Sequence, residues 1–232
     1  MKKVIAIALA LVMLLGLCAC AASGDKNTHD EPAASTDGKK TIGILMPTKE
    51  QTIWSIQGER LTAAFENAGY ATAIEYAEDD SAKQAMQIEN MITKGVDALV
   101  IVAVDCAALT DACEKAKDAG IYVIAEDRLI TNTEAVDYYI TFDLTRMGEL
   151  QGQYIVDKLD LENQDGPFTL EIFSGSQDDT NATFFYEGAM NKLQPYIDNG
   201  KLVVKSGQTS YTQTAIQSWD SSKAQSRMDN LL

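Results

Sequence analysis

The chain has 232 residues, with 34 acidic side chains against 19 basic ones and a formal net charge of −15. That length allows one large domain or two small ones, and so acidic a surface repels phosphate backbones and anionic headgroups, which argues against nucleic acid as a partner. A hydrophobic fraction of 46% supports a real core, while the sole histidine, His29, argues against nucleophile–histidine chemistry and against a His-rich metal site.

Met1-Lys2-Lys3 is a short basic stretch, and residues 4–17 form an almost unbroken apolar run. At about 14 residues the run is too short to span a bilayer, which takes ~20, and has the length of a signal-peptide core. It ends in Leu17-Cys18-Ala19-Cys20. A small residue directly before a cysteine, with Leu three positions earlier, resembles a bacterial lipobox, and Cys20 fits it better than Cys18. The reading is a lipoprotein signal over residues 1–20, with lipid on Cys20 anchoring an extracytoplasmic protein to the membrane. An ordinary signal peptide is the alternative. Residues 21–40 are small and polar, as in a flexible tether.

From Thr41 strands and helices alternate. Residues 42–46 are an apolar strand stopped by Pro47. A helix follows with Leu61, Ala64, Phe65 and Ala68 on one face and Gly69 as its stop. Residues 71–76 are the next strand. Ser81 is read as the cap of a helix with Ala85, Ile88 and Ile92 inward, ended at Gly95. Residues 98–103 are a fully apolar strand. Leu109, Cys113 and Ala116 mark a helix ended by Gly120, and residues 121–125 are another buried strand. Cys106 and Cys113, read on that one helix, would lie ~10 Å apart, too far for a disulfide. Residues 138–142 read as a strand, and 146–159 as a helix offering Leu150, Tyr154, Ile155 and Leu159 to a core. A strand at 167–173, a helix at 181–197, a strand at 202–204 and a last helix from Ser221 complete the pattern. Strands about 25 residues apart with helices between them predict an α/β fold with a parallel sheet covered on both faces.

Open parallel sheets bind ligands at the carboxyl ends of their strands. The residues there are Met46-Pro47-Thr48-Lys49 and then Trp54, Glu126-Asp127-Arg128, Asp143, and a polar run from Ser174 to Asn181. No glycine loop of the phosphate-cradling kind is present. Carboxylates, a guanidinium and a carboxamide suit vicinal hydroxyls, which lie about 2.8 Å apart and can be bridged by charge-assisted bonds. An indole suits the C–H face of a pyranose. Asp179 is equally placed to contact a ligand or to cap the helix that follows, and Glu78-Asp79-Asp80 reads as a solvated loop.

Met46-Pro47-Thr48-Lys49, residues 76–80, Gln87-Ile88-Glu89-Asn90-Met91, Asp127-Arg128-Leu129-Ile130, Gly175-Ser176-Gln177-Asp178-Asp179 and Gly188-Ala189-Met190 resemble the ChvE-type multiple-sugar-binding proteins. These are relatives of the periplasmic xylose- and ribose-binding proteins. The resemblance runs from about residue 41 to 232 and implies the type I periplasmic-binding-protein fold: two doubly wound parallel-sheet lobes, here 41–143 and 144–232, the second incomplete in a chain that reads as truncated. It implies a receptor that closes on an aldose of the xylose, glucose, galactose or arabinose type and delivers it to an ABC permease. Presentation to a sensor kinase is a second possibility, and a non-functional fragment a third. A lipid-anchored sugar-processing enzyme would need an acid/base carboxylate pair across a cleft; no enzyme activity, cofactor or metal is expected, and the chain is expected to be a monomer. By position, Asp127 and Arg128 match the family's sugar-gripping pair, Asp143 the acidic residue at the lobe crossing, Asn181 the second asparagine of the family's Asp-Asp-Asn-Asn-Ala stretch, and Trp54 the aromatic after the first strand. Ile53, Leu144, Gln177 and Thr180 depart from the residues common in relatives.

Overall fold

The computed structural model describes residues 38–231. The signal sequence, Cys20 and most of the proposed tether lie outside the described residues.

Five parallel strands make the larger sheet: β1 (Thr41–Met46), β2 (Ala71–Tyr76), β3 (Ala98–Ile101), β4 (Tyr122–Glu126) and β5 (Tyr138–Ile140), in the order β2-β1-β3-β4-β5. Ile44 pairs with Ile74 on one side and Val100 on the other, and Val100 with Ile124. The order reverses between β1 and β3, so the chain leaves these two strands in opposite directions and opens a crevice at their carboxyl ends.

Successive side chains on a strand point to opposite faces, and each face has its own cover. Leu45, Leu99, Ile101, Val123 and Ala125 pack against α2 (Ser81–Lys94) and α3 (Thr110–Asp118) through Ile88, Met91, Leu109, Cys113 and Ala116. Ile42, Ile44, Met46, Val100 and Val102 pack against α1 (Thr52–Asn67).

The inward face of α1 is not the expected one. Trp54 and Gly58 are buried, with Leu61 and Phe65 partly so, whereas Ala64 and Ala68 are exposed. The apolar spacing from Leu61 onward missed the register because Gly58, which lies against Ile74 and Tyr76, gives no hydrophobic signal. In α2 the cap is Asp80 rather than Ser81: its carboxylate accepts a hydrogen bond from the Lys83 N–H at 3.0 Å. Cys106 is buried in the turn before α3, not on the helix with Cys113. β4 is less buried than expected, since α1 covers only the β1–β2 side of its face and leaves Tyr122 exposed. All three β5 residues are exposed.

The second part of the chain contains α4 (Leu144–Lys158), β6 (Phe168–Leu170), α5 (Thr180–Asp198), β7 (Leu202–Val204), the short α6 (Tyr211–Thr214), a 3-10 turn (Gln217–Trp219) and α7 (Ser221–Leu231). β6 and β7 pair in parallel, Phe168 with Leu202 and Leu170 with Val204. They share a small core with Val156, Leu161 and Leu193. Leu150 and Tyr154, expected inside, are exposed. The buried stripe of α4 is instead Leu144, Gly148, Gly152 and Val156. A Cβ on Gly148 would lie 2.2 Å from the Phe185 carbonyl oxygen, and one on Gly188 2.2 Å from that of Thr145. Bare glycines are what let α4 and α5 cross backbone against backbone.

Candidate functional site

The loops at the carboxyl ends of β1, β3 and β4 meet the start of α5 and the 3-10 turn. Gln84, wholly buried on α2, fixes the β3 loop from below: its amide donates to the Val102 carbonyl at 2.9 Å and its oxygen accepts from the Val104 N–H at 2.8 Å. The loop so held offers the Ala103 carbonyl to Arg128 Nη1 at 2.9 Å. Arg128 is nearly fully buried, and its guanidinium carbon lies 5.3 Å from the centre of the Trp54 ring, in cation–π range. Its Nε lies 3.0 Å from Asp179 Oδ2, a close ion pair whose alignment falls short of a directed hydrogen bond.

Asp179 caps the helix and also faces the site. Its Oδ1 accepts from the Asn181 N–H at 2.9 Å, capping α5, and its Oδ2 faces Arg128 and accepts from Trp219 Nε1 at 3.0 Å. Asn181 Nδ2 in turn donates to Asp127 at both the main-chain oxygen, 3.1 Å, and Oδ1, 3.0 Å. Asn181 Oδ1 is buried without a protein partner. Asp127 itself sits at φ 61, in the left-handed region that few non-glycine residues occupy. Burial, and the Asp179 charge, raise its carboxyl above the ordinary range, while Arg128 and the Asn181 amide oppose that rise.

Trp54, Asp127, Arg128, Asp179 and Asn181 are therefore brought together. Asp143 is not: its side chain accepts from the Arg146 N–H at 2.9 Å as the cap of α4, and it is exposed. Trp219 was not anticipated. It joins the group through Asp179 and lies so close over Gly175 that a Cβ there would meet its ring at 2.0 Å. Gln51 links the Trp54 indole to the backbone of the 3-10 turn, accepting from Trp54 Nε1 at 3.1 Å and donating to the Ser218 carbonyl at 3.2 Å. One signal was available in the sequence: Trp219 is one of only two tryptophans and stands in a wholly polar run, Gln217-Ser218-Trp219-Asp220. Arg128, Asp79, Asp178, Val104, Ser218 and Trp219 enclose a cavity of about 20 Å³. That suits a single water and lies far below the ~300 Å³ of a small-molecule pocket. A ligand larger than water needs the 3-10 turn and α5 to move away from the β3 and β4 loops. Among the described residues no cluster of His, Cys, Asp and Glu could hold a metal ion.

A crevice at the switch point of a parallel sheet, lined by two indoles and a buried carboxylate–guanidinium–carboxamide network, defines a binding protein of the type I periplasmic class, of which the chain covers part. Residues 42–232 match the family described as periplasmic binding protein domain, and the chain belongs to that family. It is 51% identical over 205 residues to the multiple sugar-binding periplasmic protein SbpA of Azospirillum brasilense, a match covering 88% of this chain and 57% of that protein. To the multiple sugar-binding periplasmic receptor ChvE of Rhizobium radiobacter it is 52% identical, over 87% of this chain and 56% of the receptor. An ABC transporter solute-binding protein from Clostridium phytofermentans, solved with bound β-D-glucose, superimposes with a TM-score of 0.81 at 46% identity, covering 83% of this chain and 59% of that one. The chain thus spans somewhat over half the length of these relatives.

Proposed function

We propose that the chain is the monosaccharide-binding component of an ABC importer, held outside the cytoplasm by lipid on Cys20. The lobes divide near residue 143, and an aldose enters between them. Asp127, Arg128 and Asn181 take its hydroxyls, Asp179 orients the guanidinium, and Trp54 and Trp219 cover its C–H faces; Asp143 sits at the crossing between the lobes. The closed, loaded form docks on the permease as a monomer. No bond of the sugar changes: the carboxylates are tied to an amide and a guanidinium, which suits recognition rather than proton transfer. Binding energy selects the closed arrangement.

The observation that carries this reading is Asn181 Oδ1, a buried acceptor with no protein donor, on a residue bonded to both Asp127 and the Asp179 of the buried ion pair. Such an atom costs about 1–3 kcal/mol if left unpaired, and a sugar hydroxyl is a donor of the right size. The test is a thermal-shift scan of the full-length protein with xylose, ribose, arabinose, glucose and galactose at millimolar concentration. A cooperative transition raised by at least one aldose is expected. A cooperative transition that none of them moves would sink the reading.

A further inference from the structure

Two polar groups behind the site play no part in the sugar contacts above. Glu126 ends β4, immediately before Asp127. By strand alternation it faces the same side as Tyr122 and Ile124, the side that α1 covers. Its Oε1 accepts a hydrogen bond from Gln57 Nε2, and its Oε2 is buried without a protein partner. Gln57 follows Trp54 by three residues and Gln51 by six, so capping residue, indole and amide lie along one face of the helix. The Gln57–Glu126 bond therefore ties the helix that carries Trp54 to the turn that carries Asp127 and Arg128. On its other sides that turn is held by two main-chain bonds, Asp127 N–H to the Ile140 carbonyl at 2.9 Å and Arg128 N–H to the Glu126 carbonyl at 2.7 Å, by the Asn181 amide and the Tyr139 hydroxyl on Asp127, and by the ion pair of Arg128 with Asp179; none of these reaches the helix that carries Trp54. It also carries the left-handed Asp127, a conformation that needs support from its surroundings.

We propose that Gln57 and Glu126 are a positioning pair that fixes the Trp54 ring relative to the Asp127-Arg128 pair and so sets sugar affinity without touching the sugar. The proposal rests on the sugar-binding reading above.

The surroundings of Glu126 favour the neutral form. From α1 it meets the Gln57 amide, and from β5 its register partner is the apolar Ile140. Within its own turn the nearest charge is the Asp127 carboxylate, while the Arg128 guanidinium is taken up by Asp179 and the Ala103 carbonyl. Burial first, and then the Asp127 charge, push the Glu126 carboxyl up to about 7, against the opposing pull of the Gln57 amide. Ionisation sets a second negative charge beside Asp127 and loosens the turn. Opening of the crevice wets the region and lowers the carboxyl, and closure on a sugar dries it again, which couples binding to uptake of a proton.

The experiment is D-glucose binding to the full-length protein by titration calorimetry at about pH 6 and about pH 8, one unit either side of neutrality. A carboxyl higher in the closed form than in the open one makes the wild type weaker at the higher pH, by roughly 5-fold if the two differ by about one unit. Glu126→Gln, which keeps a neutral partner for Gln57, is expected to bind at both values as the wild type does at the lower one. Glu126→Ala and Gln57→Ala are expected to be weaker at both. A pH profile that Glu126→Gln shares with the wild type overturns the assignment, as does full affinity in Gln57→Ala. If glucose binds the wild type at neither pH, the sugar reading fails separately. The pair is then read from thermal unfolding: Glu126→Gln melting above the wild type at the higher pH only supports it, and matching curves at both pH values overturn it.

Discussion

At the scale of single residues, the site is a buried charge network whose members are not interchangeable. Arg128 and Asp179 are both almost inaccessible to water. Removing one partner leaves the other's charge buried and unpaired, so Arg128→Ala is expected to destabilise the protein by about 3–5 kcal/mol, read from the urea midpoint. Asn181→Ala removes both hydrogen bonds to Asp127 and the acceptor offered to the ligand. It is expected to weaken sugar binding by roughly 10–100-fold, corresponding to about 1–3 kcal/mol, measured by calorimetry. Glu126 gives stability a pH dependence of known sign. Its carboxyl titrates near 4.5 ordinarily and at about 7 in the fold. Between those values the folded protein holds a proton that the unfolded chain has lost, so stability falls as pH rises through this window and levels off above it. Urea midpoints taken across it should decline in the wild type and decline less in Glu126→Gln. Most of this network was legible in the sequence. Asp127, Arg128, Asp179 and Asn181 stand where strands end and a helix begins, and Trp54 lies just beyond β1. Asp143 was legible as a carboxylate at an element boundary, but boundary carboxylates also cap helices, and capping is what the structure gives it. Trp219 carried only the signal of a rare indole in a polar run, because what places it is contact with Gly175 and Asp179, about forty residues earlier in the chain.

At the scale of elements, strand and helix positions followed from hydrophobic period and from glycine stops, which is why all seven strands were foreseen to within a few residues. The faces of the helices were harder to foresee. In α1 and α4 the buried positions include Gly58, Gly148 and Gly152, residues that add no hydrophobicity to a helical pattern while deciding how closely a neighbour approaches. Leu150 and Tyr154 have the better apolar spacing and lie outside. The α4–α5 crossing tests this account. Gly148→Ala sets a methyl group against the Phe185 carbonyl, and backbone cannot step aside as a side chain can. A loss of about 1–3 kcal/mol is expected, seen as a lowered thermal midpoint, with Leu150→Ala close to neutral as the control.

At the scale of the whole molecule, the two faces of the large sheet are unequally covered. α2 and α3 close one face, whereas α1 leaves Tyr122, Tyr138 and Ile140 exposed on or beside the other, at 57%, 60% and 59%. An apolar patch at an open strand edge favours dye binding and association. Tyr138→Lys is therefore expected to lower the fluorescence of a bound hydrophobic dye and to slow aggregation, measured by light scattering; an unchanged signal would place the sticky surface elsewhere. The ligand crevice faces a different way, at the carboxyl ends of the strands, and its two walls carry the only two tryptophans of the chain, Trp54 and Trp219. With Gln51 tying Trp54 to the Ser218 carbonyl beside Trp219, nearly all the tryptophan emission of the protein originates within the crevice. The molecule thus carries its own optical reporter: opening or filling the crevice changes the surroundings of both emitters at once, and occupancy can be followed by ultraviolet fluorescence without attaching a label.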